Sequence, residues 1–505
     1  MKQDSISDRY IFIMLFLYTF VLLFFTTKLS PLYPSNEWSD LNLYFNIGKG
    51  ILNGRTLYTE IFDHKGPFIF FLYGFGYLIS NTSFFGVYLL FSLFWVAAVF
   101  AAYRTARLFL NQIYSFLVAL AFPVLSLSHT MSGGSADELI ALLAAVSLYY
   151  FVLYFKEKNN AQHNPYHMLI HGIMCGIVLM TKLNLLVFWF FPLIAILITI
   201  LRNKEYQNLW KNIIAYIVGL LIIVLPICLY LLFNNALKEG YEIYITLNSK
   251  YSGLNTMSEA MGYLAIRFYQ RLRFDTIEFI IILIGAIYFP IRFIKNRIGG
   301  ISLILSFIAL YIMIFMAKYF HYYSVPYYIF TIPGLIVIGN YLRKYIEIKY
   351  AIPICLFFCL IGIGIGIQYK NYFGLDTEEL FRRKEVVNVE TQFRKKILAE
   401  KANPTLVVLG LNTAVGIFTY ADITPNIKYF AAPNLSSDFY PEMRDEQSKY
   451  IENKEVDFVV LTDYSFDYDY FKDYAPLINN YTLIDTFLED NFKTYYLFER
   501  NDLLK

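Results

Sequence analysis

Apolar runs of about 20 residues recur along the first 370 positions of this 505-residue chain. A helix needs roughly that many apolar residues to cross a bilayer, and the repetition excludes a single buried core helix. The composition agrees, because 57% of the residues are hydrophobic and only 16% are charged, whereas soluble domains carry about a quarter charged residues. The sequence therefore predicts a polytopic α-helical membrane protein.

Eleven apolar segments are candidates for membrane spans. They lie near 10–29, 84–103, 111–128, 137–155, 168–181, 184–201, 212–233, 276–291, 299–317, 325–341 and 351–368. Cytoplasmic loops of multi-pass proteins are rich in Lys and Arg. If the N-terminus lies in the cytoplasm, every inside loop is basic, beginning with Arg104 and Arg107. Because eleven is odd, the C-terminus is then expected on the outer face.

Two further segments of the first outer loop are helical in pattern but too short to span a bilayer. Residues 41–53 have an amphipathic pattern that ends at Asn53-Gly54. Residues 67–80 are apolar throughout, and a run of this length is often interfacial. We therefore expect two interfacial helices at the outer surface.

The C-terminal region differs in charge from the rest of the chain. From Asp376 onward it has 23 Asp and Glu against 15 Lys and Arg, although the whole chain carries +3. An acidic surface of this kind is typical of a solvated domain. Strand-like segments at 405–410, 457–461 and 494–498 alternate with helical segments at 377–402 and 439–453. This alternation predicts a small α/β domain at 371–505, following a membrane domain at 1–370.

Known motifs for cofactors and nucleic acids are missing from the sequence. We find no glycine-rich phosphate loop, no HExxH and no paired CxxC. The basic residues of the membrane region follow the cytoplasmic loops, so no nucleic-acid partner is expected. A divalent cation held by acids of the outer loops stays open.

Asp40 is the candidate for acid–base chemistry. It lies about a dozen residues past the first span, at the start of the amphipathic segment. An acid at that place can cap free N–H groups and interact with the helix dipole. Alternatively, a carboxylate at the membrane surface can take a proton from an acceptor hydroxyl. Glu37 is a competitor for the same role.

Asp63, His64 and Lys65 come directly before the second short helix. Charged side chains at this depth can simply extend to lipid headgroups. Alternatively, Lys65, with His64 nearby, neutralises a phosphate on a lipid substrate. Asp63 then positions His64 or serves as a second carboxylate.

Asp137, Glu138 and Lys182 lie at the outer ends of later spans. The two acids open the fourth span, where an N-terminal capping role is the structural alternative. Acids at a membrane interface that face a cavity are costly, which favours a function. Lys182 lies between two apolar runs, either as a snorkelling anchor or as a ligand of an anionic headgroup.

Lys318, His321 and Tyr322 close the ninth span. Aromatic belts at membrane surfaces explain the tyrosine without any function. Lys318 and His321, however, lie among aromatic residues that can stack on a sugar ring. Arg267 and Arg271 share a helix face in the preceding outer loop, which we interpret as a solvated or interfacial face.

Together these motifs resemble the GT-C superfamily of polytopic glycosyltransferases. The branch they resemble contains the protein O-mannosyltransferases and the bacterial aminoarabinose transferase of lipid A. The resemblance rests on four short motifs. These are Asp40, Tyr44, Gly50, Asn53 and Gly54; Tyr58 with Phe62–Pro67; Gly172, Gly176, Thr181 and Lys182; and His321, Tyr322, Tyr323 and Pro326.

The resemblance implies roles for the first-loop residues. Asp40 is expected to be the general base, and Lys65 is expected to contact the donor phosphate. The remaining substrate-binding candidates are Tyr58, Asp63, His64, Asp137, Glu138, Lys182, Lys318, His321 and Tyr322. The implied donor is a polyprenyl-phosphate sugar, used at the outer face of a bacterial inner membrane with inversion at the anomeric carbon.

Two departures from the family pattern concern the sugar and the acceptor. The aminoarabinose transferase has Lys-Pro-Pro where this chain has Lys65-Gly66-Pro67. Protein O-mannosyltransferases typically carry a further acid beside the catalytic one, whereas Ser39 and Leu41 flank Asp40 here. We therefore expect a lipid or cell-envelope glycan as the acceptor, not a protein.

Three other functions stay open at this point. A transporter or flippase of lipid-linked glycans needs charges deep within its spans, which are almost free of charge here. A glycan polymerase or ligase shares the donor and the topology, and only the acceptor separates it from a transferase. A non-enzymatic assembly subunit predicts that Asp40 is dispensable.

Overall fold

The structure, a computed structural model, describes most of the chain. It covers residues 7–504 except 34, 128, 159, 252–255, 318, 346–349, 351, 355, 358, 362–386, 411–412 and 490–491. Within these residues, eight helices are long and apolar enough to cross a membrane. The chain is thus a multi-pass membrane protein, as the hydropathy pattern predicted.

The helices that precede the C-terminal region are numbered in chain order. They are α1 (Asp8–Thr26), α2 (Ser39–Leu52), α3 (Pro67–Ile79), α4 (Phe85–Arg107), α5 (Gln112–Leu127), α6 (Ala136–Phe155), α7 (Pro165–Leu179), α8 (Val187–Arg202), α9 (Tyr206–Phe233), α10 (Leu237–Tyr241), α11 (Asn248–Tyr251), α12 (Met257–Phe274), α13 (Thr276–Leu283), α14 (Phe289–Phe293), α15 (Arg297–Phe315) and α16 (Thr331–Leu342). Two 3₁₀ segments, Leu183–Leu186 and His321–Phe330, lead into α8 and α16. Two π-helical segments are Glu242–Leu247 and Ile284–Tyr288.

Ten of the eleven predicted spans coincide with apolar helices of the structure. Eight of these are full-length, whereas α5 and α7 are shorter apolar helices of 16 and 15 residues. The eleventh predicted span, 351–368, falls largely outside the described residues, and so does the predicted domain boundary at residue 370. The two short helices predicted in the first outer loop are confirmed as α2 and α3.

The chain forms two compact units, and the first contains most of the membrane helices. It consists of Met1–Thr27, Leu90–Ile227 and Lys250–Gly374. Within this unit α8 packs against α15, α5 against α16, and α6 against the 3₁₀ segment that precedes α16. These apolar surfaces bury one another, and the outward residues of the helices stay apolar, as a lipid environment requires.

Glycines allow α7 and α9 to approach closely inside this first unit. A Cβ atom at Gly172 would collide with the backbone oxygen of Tyr216, and one at Gly219 with that of Leu169. Small residues at such contacts let two backbones pack directly in a membrane. Gly172 and Gly176, which belong to one of the sequence motifs, thus have a packing role.

The second unit joins the first outer loop to the C-terminal region. It consists of Lys28–Leu89, Cys228–Ser249 and Leu375–Lys505. Within it α2 packs on α3 at a glycine pair. A Cβ at Gly48 would lie 2.5 Å from the backbone nitrogen of Gly74, so no larger residue fits there.

The C-terminal part of the second unit is a small mixed sheet with surrounding helices. The helices are α17 (Val389–Glu400), α18 (Gly416–Tyr420), α19 (Pro441–Glu452), α20 (Tyr468–Lys472) and α21 (Ala475–Asn480), and the strands are β1 (Leu406–Leu409), β2 (Phe458–Thr462), β3 (Tyr481–Glu489) and β4 (Lys493–Arg500). The strand order is β1-β2-β4-β3, with β1 and β2 parallel and the other pairs antiparallel. The three predicted strands and the helix at 439–453 are confirmed, and β3 was not predicted.

Candidate active site

Asp40 lies in the first turn of α2 with most of its side chain covered. The side chain is 12% exposed. The turn is held from the N-terminal side by Asn36, whose Oδ1 accepts a hydrogen bond from the backbone nitrogen of Trp38 at 3.1 Å. The carboxylate lies next to the positive end of the helix dipole. α2 therefore presents an acid of which only a small part is accessible.

Lys65 lies between two carboxylates. Its Nζ is 3.8 Å from Oδ1 of Asp63 and 4.0 Å from Oδ1 of Asp40. The same Nζ lies 5.6 Å from the ring centroid of Tyr44, one turn along α2 from Asp40. The lysine is thus oriented by opposite charges and by an aromatic face, and 20% of its side chain is exposed.

Asp63 is fully buried and remains ionised. Burial opposes the charge, but the ammonium of Lys65 and hydrogen bonds from His64 and the backbone nitrogen of Lys65 lower the pKa of Asp63 to about 2. The backbone bond is 3.1 Å long, and His64 Nδ1 lies 3.2 Å from the same carboxylate oxygen. Burial and the charge of Lys65 lower the pKa of His64, so this imidazole is neutral at pH 7.

Tyr58 holds the backbone of this loop from the other side. Its hydroxyl donates to the carbonyl oxygen of Lys65 at 2.8 Å, and its ring is fully buried. The residue adopts φ 72°, in the left-handed region that non-glycine residues rarely occupy. Asn248 adds a hydrogen bond from Nδ2 to the carbonyl oxygen of His64. Such strain persists only where the surroundings fix it, and it is often found at functional sites.

These residues define the loop cluster: Asp40, Tyr58, Asp63, His64 and Lys65. Asp63, His64 and Tyr58 are buried, whereas 12% of the Asp40 side chain and 20% of the Lys65 side chain are exposed. A substrate can therefore reach one carboxylate and one ammonium, and the buried members hold these two in place. The cluster offers a proton acceptor next to a cation that can bind a phosphate.

The first unit contains a second predicted pair, Asp137 and Lys182. Lys182 Nζ lies 2.9 Å and 3.1 Å from the two oxygens of Asp137, whose side chain is 3% exposed. The same Nζ lies 3.7 Å from the ring centroid of Tyr323. Lys182 thus joins two motifs that are far apart in the sequence, and it is not a free anchor at the membrane surface.

Glu138 has partners for both of its oxygens. Oε1 accepts from the indole nitrogen of Trp95 at 2.6 Å, and Oε2 accepts from the backbone nitrogen of Gly134 at 2.5 Å. Ser135 caps α6 by accepting from the backbone nitrogen of Glu138. The capping role that was the structural alternative for the two acids therefore belongs to Ser135. A substrate contact of Glu138 stays a prediction.

His321 stacks on a histidine that the sequence analysis did not select. The His321 and His129 ring centroids are 4.6 Å apart. His129 Nε2 lies 2.5 Å from the hydroxyl of Tyr328, and burial lowers the pKa of His129 well below its ordinary value. Tyr322, the residue after His321, is buried. Lys318 lies outside the described residues.

Arg271 also differs from what the sequence suggested. It is 6% exposed and forms an ion pair with Asp275. The guanidinium carbons of Arg267 and Arg271 lie 4.7 Å and 5.9 Å from the ring centroid of Tyr319. Of the two expected positions, a solvated or an interfacial face, the solvated one was thus wrong for Arg271, because the aromatic segment after α15 covers it. The i, i+4 spacing was the only signal in the sequence.

Glu37, the competitor of Asp40, has a partner in the C-terminal region. Its Oε1 accepts from Nδ2 of Asn388 at 3.4 Å, in a contact that also includes Ser35.

As for metals, no group of three or more His, Cys, Asp or Glu side chains in the described part of the chain is arranged to hold an ion. The loop cluster is consequently the best-defined candidate for acid–base chemistry.

Known proteins match this chain in fold and in part of its sequence. Residues 64–232, about a third of the chain, match the profile of a family described as dolichyl-phosphate-mannose-protein mannosyltransferase. The crystal structure of ArnT from Cupriavidus metallidurans bound to undecaprenyl phosphate matches with a TM-score of 0.60 and 12% identity over 99% of each chain. The chain has the GT-C fold. This fold agrees with the resemblance to the GT-C superfamily that the motifs indicated.

A second structure and a further comparison complete this picture of the GT-C fold. The apo structure of ArnT from Cupriavidus metallidurans gives a TM-score of 0.59 with 12% identity, over 97% of this chain and 98% of that chain. Comparison with curated proteins gives no match. The likeness to known proteins is therefore one of fold.

Proposed function

We propose that the protein is a membrane glycosyltransferase fed by a polyprenyl-phosphate-linked sugar. The pairing of Asp40 with Lys65 carries this proposal, because it places a base whose side chain is 12% exposed 4.0 Å from a cation whose side chain is 20% exposed. The GT-C fold supports the reaction class. The similar ArnT structure, which is bound to undecaprenyl phosphate, supports the donor class. The proposed acceptor is a lipid or cell-envelope glycan.

The proposed mechanism is a single displacement with inversion. Asp40 accepts the proton of the acceptor hydroxyl while the hydroxyl oxygen attacks the anomeric carbon. The bond between that carbon and the phosphate oxygen breaks, and the electron pair stays on the leaving phosphate. Lys65 neutralises the charge that develops there. Asp63 orients Lys65, and neutral His64 and Tyr58 fix the loop.

The polar residues of the first unit are proposed to contact the substrates. Lys182 can exchange part of its pairing with Asp137 for an anionic group, because its side chain is 26% exposed. Tyr323, under the same ammonium, offers an aromatic face that suits a sugar ring. His321, Tyr322, Glu138 and Lys318 keep their predicted substrate-binding roles as part of this proposal.

The proposed location is a bacterial inner membrane, with the reaction at its outer face. The basic inside loops favour a cytoplasmic N-terminus and a periplasmic C-terminal domain. Membrane lipids then surround the spans and hold the tail of the donor. Placement of the loop cluster at the outer surface lets a water-soluble acceptor headgroup and a lipid-anchored donor meet.

A glycan polymerase or ligase is the nearest alternative, since it differs only in the acceptor. A transporter or flippase is less favoured, because the ionisable residues of the loop cluster lie on α2 and the loop before α3, outside the spans. A non-enzymatic assembly subunit would not need the buried ion pair that orients Lys65.

The proposal is tested with a panel of radiolabelled polyprenyl-phosphate sugars and a membrane lipid extract as the acceptor source. The wild type is expected to consume one donor. Lys65→Met should lower kcat/KM for this donor by about 10- to 100-fold, as the loss of a charge-assisted contact predicts. Lys428→Met is the matched control, because Lys428 is 19% exposed and paired with Glu239 at 3.1 Å in the same unit. It should stay within about threefold of the wild type.

If the wild type consumes no donor under conditions where a known transferase does, the transferase proposal fails. The transporter and the assembly subunit then become the leading candidates. If Lys65→Met and Lys428→Met are equally active, the protein is still a transferase, but Lys65 does not bind the donor phosphate.

A further inference from the structure

α2 has two polar faces that point in opposite directions. Asp40 and Tyr44 lie on the face next to Lys65. At about 100° per residue, Asn42, Asn46 and Lys49 lie roughly half a turn away from Asp40. All three of these side chains are fully buried. The helix that carries the proposed base is therefore held from its back by polar contacts.

The back of α2 contacts residues around α18, which we call the clamp: Phe418, Thr419, Tyr420 and Asp422. The hydroxyl of Thr419 donates to Asn42 Oδ1 at 2.8 Å and accepts from Asn46 Nδ2 at 2.9 Å. This one hydroxyl thus bridges two successive turns of α2. Because Thr419 and both asparagines are fully buried, a water molecule cannot take the place of the hydroxyl if it is removed.

Lys49 makes the strongest contact with the clamp. Its Nζ lies 3.0 Å from the carbonyl oxygen of Phe418 and 3.0 Å from Oδ1 of Asp422. The other carboxylate oxygen of Asp422 accepts from Asn81 Nδ2 at 2.6 Å. Burying a lysine costs free energy unless its charge is paired. The pairing of Lys49 therefore fixes the position in which α2 can dock against the clamp.

Tyr420 anchors the segment that leads into α2. Its hydroxyl accepts from the backbone nitrogen of Asn36 at 2.5 Å and donates to the carbonyl oxygen of the same residue at 3.3 Å. The contacts therefore run from Asn36, three residues before the helix, to its last turn. A purely apolar contact would bury the same area without fixing the rotation of α2 about its axis.

We propose that the clamp of the C-terminal domain is a positioning device for Asp40. Its polar contacts fix the rotation and the height of α2, and the opposite face of α2 then holds Asp40 4.0 Å from Lys65. The clamp residues are positioning residues, since they act through α2. This inference rests on the proposed function of Asp40, but the docking of α2 can be tested without any activity.

Thr419→Val is the sharpest test, because it removes one hydroxyl at constant shape. Thr462→Val is the matched control: Thr462 is also fully buried in the same domain, and its hydroxyl accepts only a long bond of 3.4 Å from Tyr464. Thr419→Ser restores the hydroxyl. Both measurements below use the full chain in lipid nanodiscs.

The first measurement is hydrogen–deuterium exchange of residues 39–52. Thr419→Val should speed the exchange of backbone amides there by about tenfold. The reason is that α2 opens more often once the side-chain amides of Asn42 and Asn46 lose their hydrogen bonds with Thr419. Thr462→Val and Thr419→Ser should leave it unchanged. If Thr419→Val does not fold, Lys49→Met takes its place with the same expectation, since Met fills the space without a charge.

The second measurement is sugar transfer, with kcat and the donor KM determined separately. Thr419→Val should lower kcat by about 10- to 100-fold, as expected for a misplaced reacting group, and leave KM within about threefold. Thr419→Ser should recover most of kcat. In an Asp40→Asn background, Thr419→Val should cause no further loss.

The proposal is overturned if Thr419→Val matches the Thr462→Val control in α2 exchange and in kcat. It is also overturned if the variant raises KM at unchanged kcat, because the clamp would then serve donor binding. If the wild type transfers no sugar at all, the proposed function fails, and the exchange of α2 alone decides whether the clamp docks this helix.

Discussion

Replacing Asp63 with Asn should destabilise the protein measurably, because this carboxylate is buried and ionised. The difference between its ordinary pKa of 3.8 and its value of about 2 corresponds to about 2 kcal/mol of stability at neutral pH. The gross attraction of Lys65 at 3.8 Å is larger, about 4 kcal/mol at an effective dielectric constant of 20, and the cost of burial offsets part of it. Asn retains an oxygen for the backbone bond of Lys65 and removes only the charge.

The assay is thermal unfolding in detergent, followed by tryptophan fluorescence. For a unit of about 200 residues, a loss of about 2 kcal/mol lowers Tm by roughly 4–8 °C at pH 7. Asp438→Asn serves as the control, because Asp438 is exposed. It should change Tm by less than about 1 °C.

The pH dependence of this difference has a defined sign. Because the folded pKa of Asp63 is lowered, its stabilisation is complete above pH 4 and is lost as the pH falls towards about 2. The gap in Tm between wild type and Asp63→Asn should therefore stay constant from pH 7 to about 5 and shrink below about 4. A variant that unfolds like Asp438→Asn at pH 7 would refute the assignment of Asp63 as a stabilising ionised group.

Two further predictions concern the first unit. Lys182→Met removes the cation that neutralises the buried carboxylate of Asp137 and should cost roughly 3 kcal/mol in thermal unfolding, whereas the double variant with Asp137→Leu should regain most of it; a double variant no more stable than Lys182→Met would contradict the pairing argument. Gly219→Leu forces a side chain onto the backbone oxygen of Leu169 and should lower Tm by several degrees, whereas Gly262→Leu, with open space around it, should not. Equal effects of the two glycine substitutions would mean that α7 and α9 do not pack through Gly219.

The membrane helices could be predicted from the sequence because hydropathy acts locally. Each span is a continuous apolar run, and its neighbours in the chain suffice to recognise it. The α5 and α7 helices were found in the same way, although each is shorter than a full span. The two short helices of the first loop were also recognised locally, α2 by its amphipathic pattern and α3 by an apolar run too short to span a bilayer.

Strand β3 was missed because most of its residues are exposed. Only its first residue, Tyr481, is buried, and the other residues are partly or fully exposed. The strand therefore lacks the continuous apolar run that revealed β1 and β2, both of which are buried throughout. β1 and β3 are the two edge strands of the sheet, so exposure of the side chains and not edge position separates the recognised strand from the missed one.

In the site, the sequence revealed the residues but not all of their partners. Asp63, His64 and Lys65 are adjacent in the chain, so their association was evident. The partners of Lys182 are Asp137 and Tyr323, which lie 45 residues before it and far after it in the chain. Only the fold brings such residues together, and no local pattern indicates the contact.

Lys49 and Arg271 show the same limit more sharply. Lys49 lies in an amphipathic helix where a lysine is expected to face water, yet it is fully buried against Phe418 and Asp422. Arg271 was expected on a solvated or interfacial face, yet Tyr319 and Asp275 cover it and keep it from water. A charged residue is the costliest kind to bury, so its burial depends entirely on partners that the local sequence does not contain.

The central claim is that Asp40 is the base of a sugar transfer, and the most direct test compares Asp40→Asn with Glu37→Gln. Both variants remove one carboxylate charge near the start of α2, and both are assayed for donor binding and for transfer of the labelled sugar. We predict that Asp40→Asn binds the donor like the wild type but transfers sugar about 100- to 10,000-fold more slowly, whereas Glu37→Gln stays active. Transfer by Asp40→Asn at the wild-type rate would contradict this account and leave Asp40 with only a structural role at the helix end.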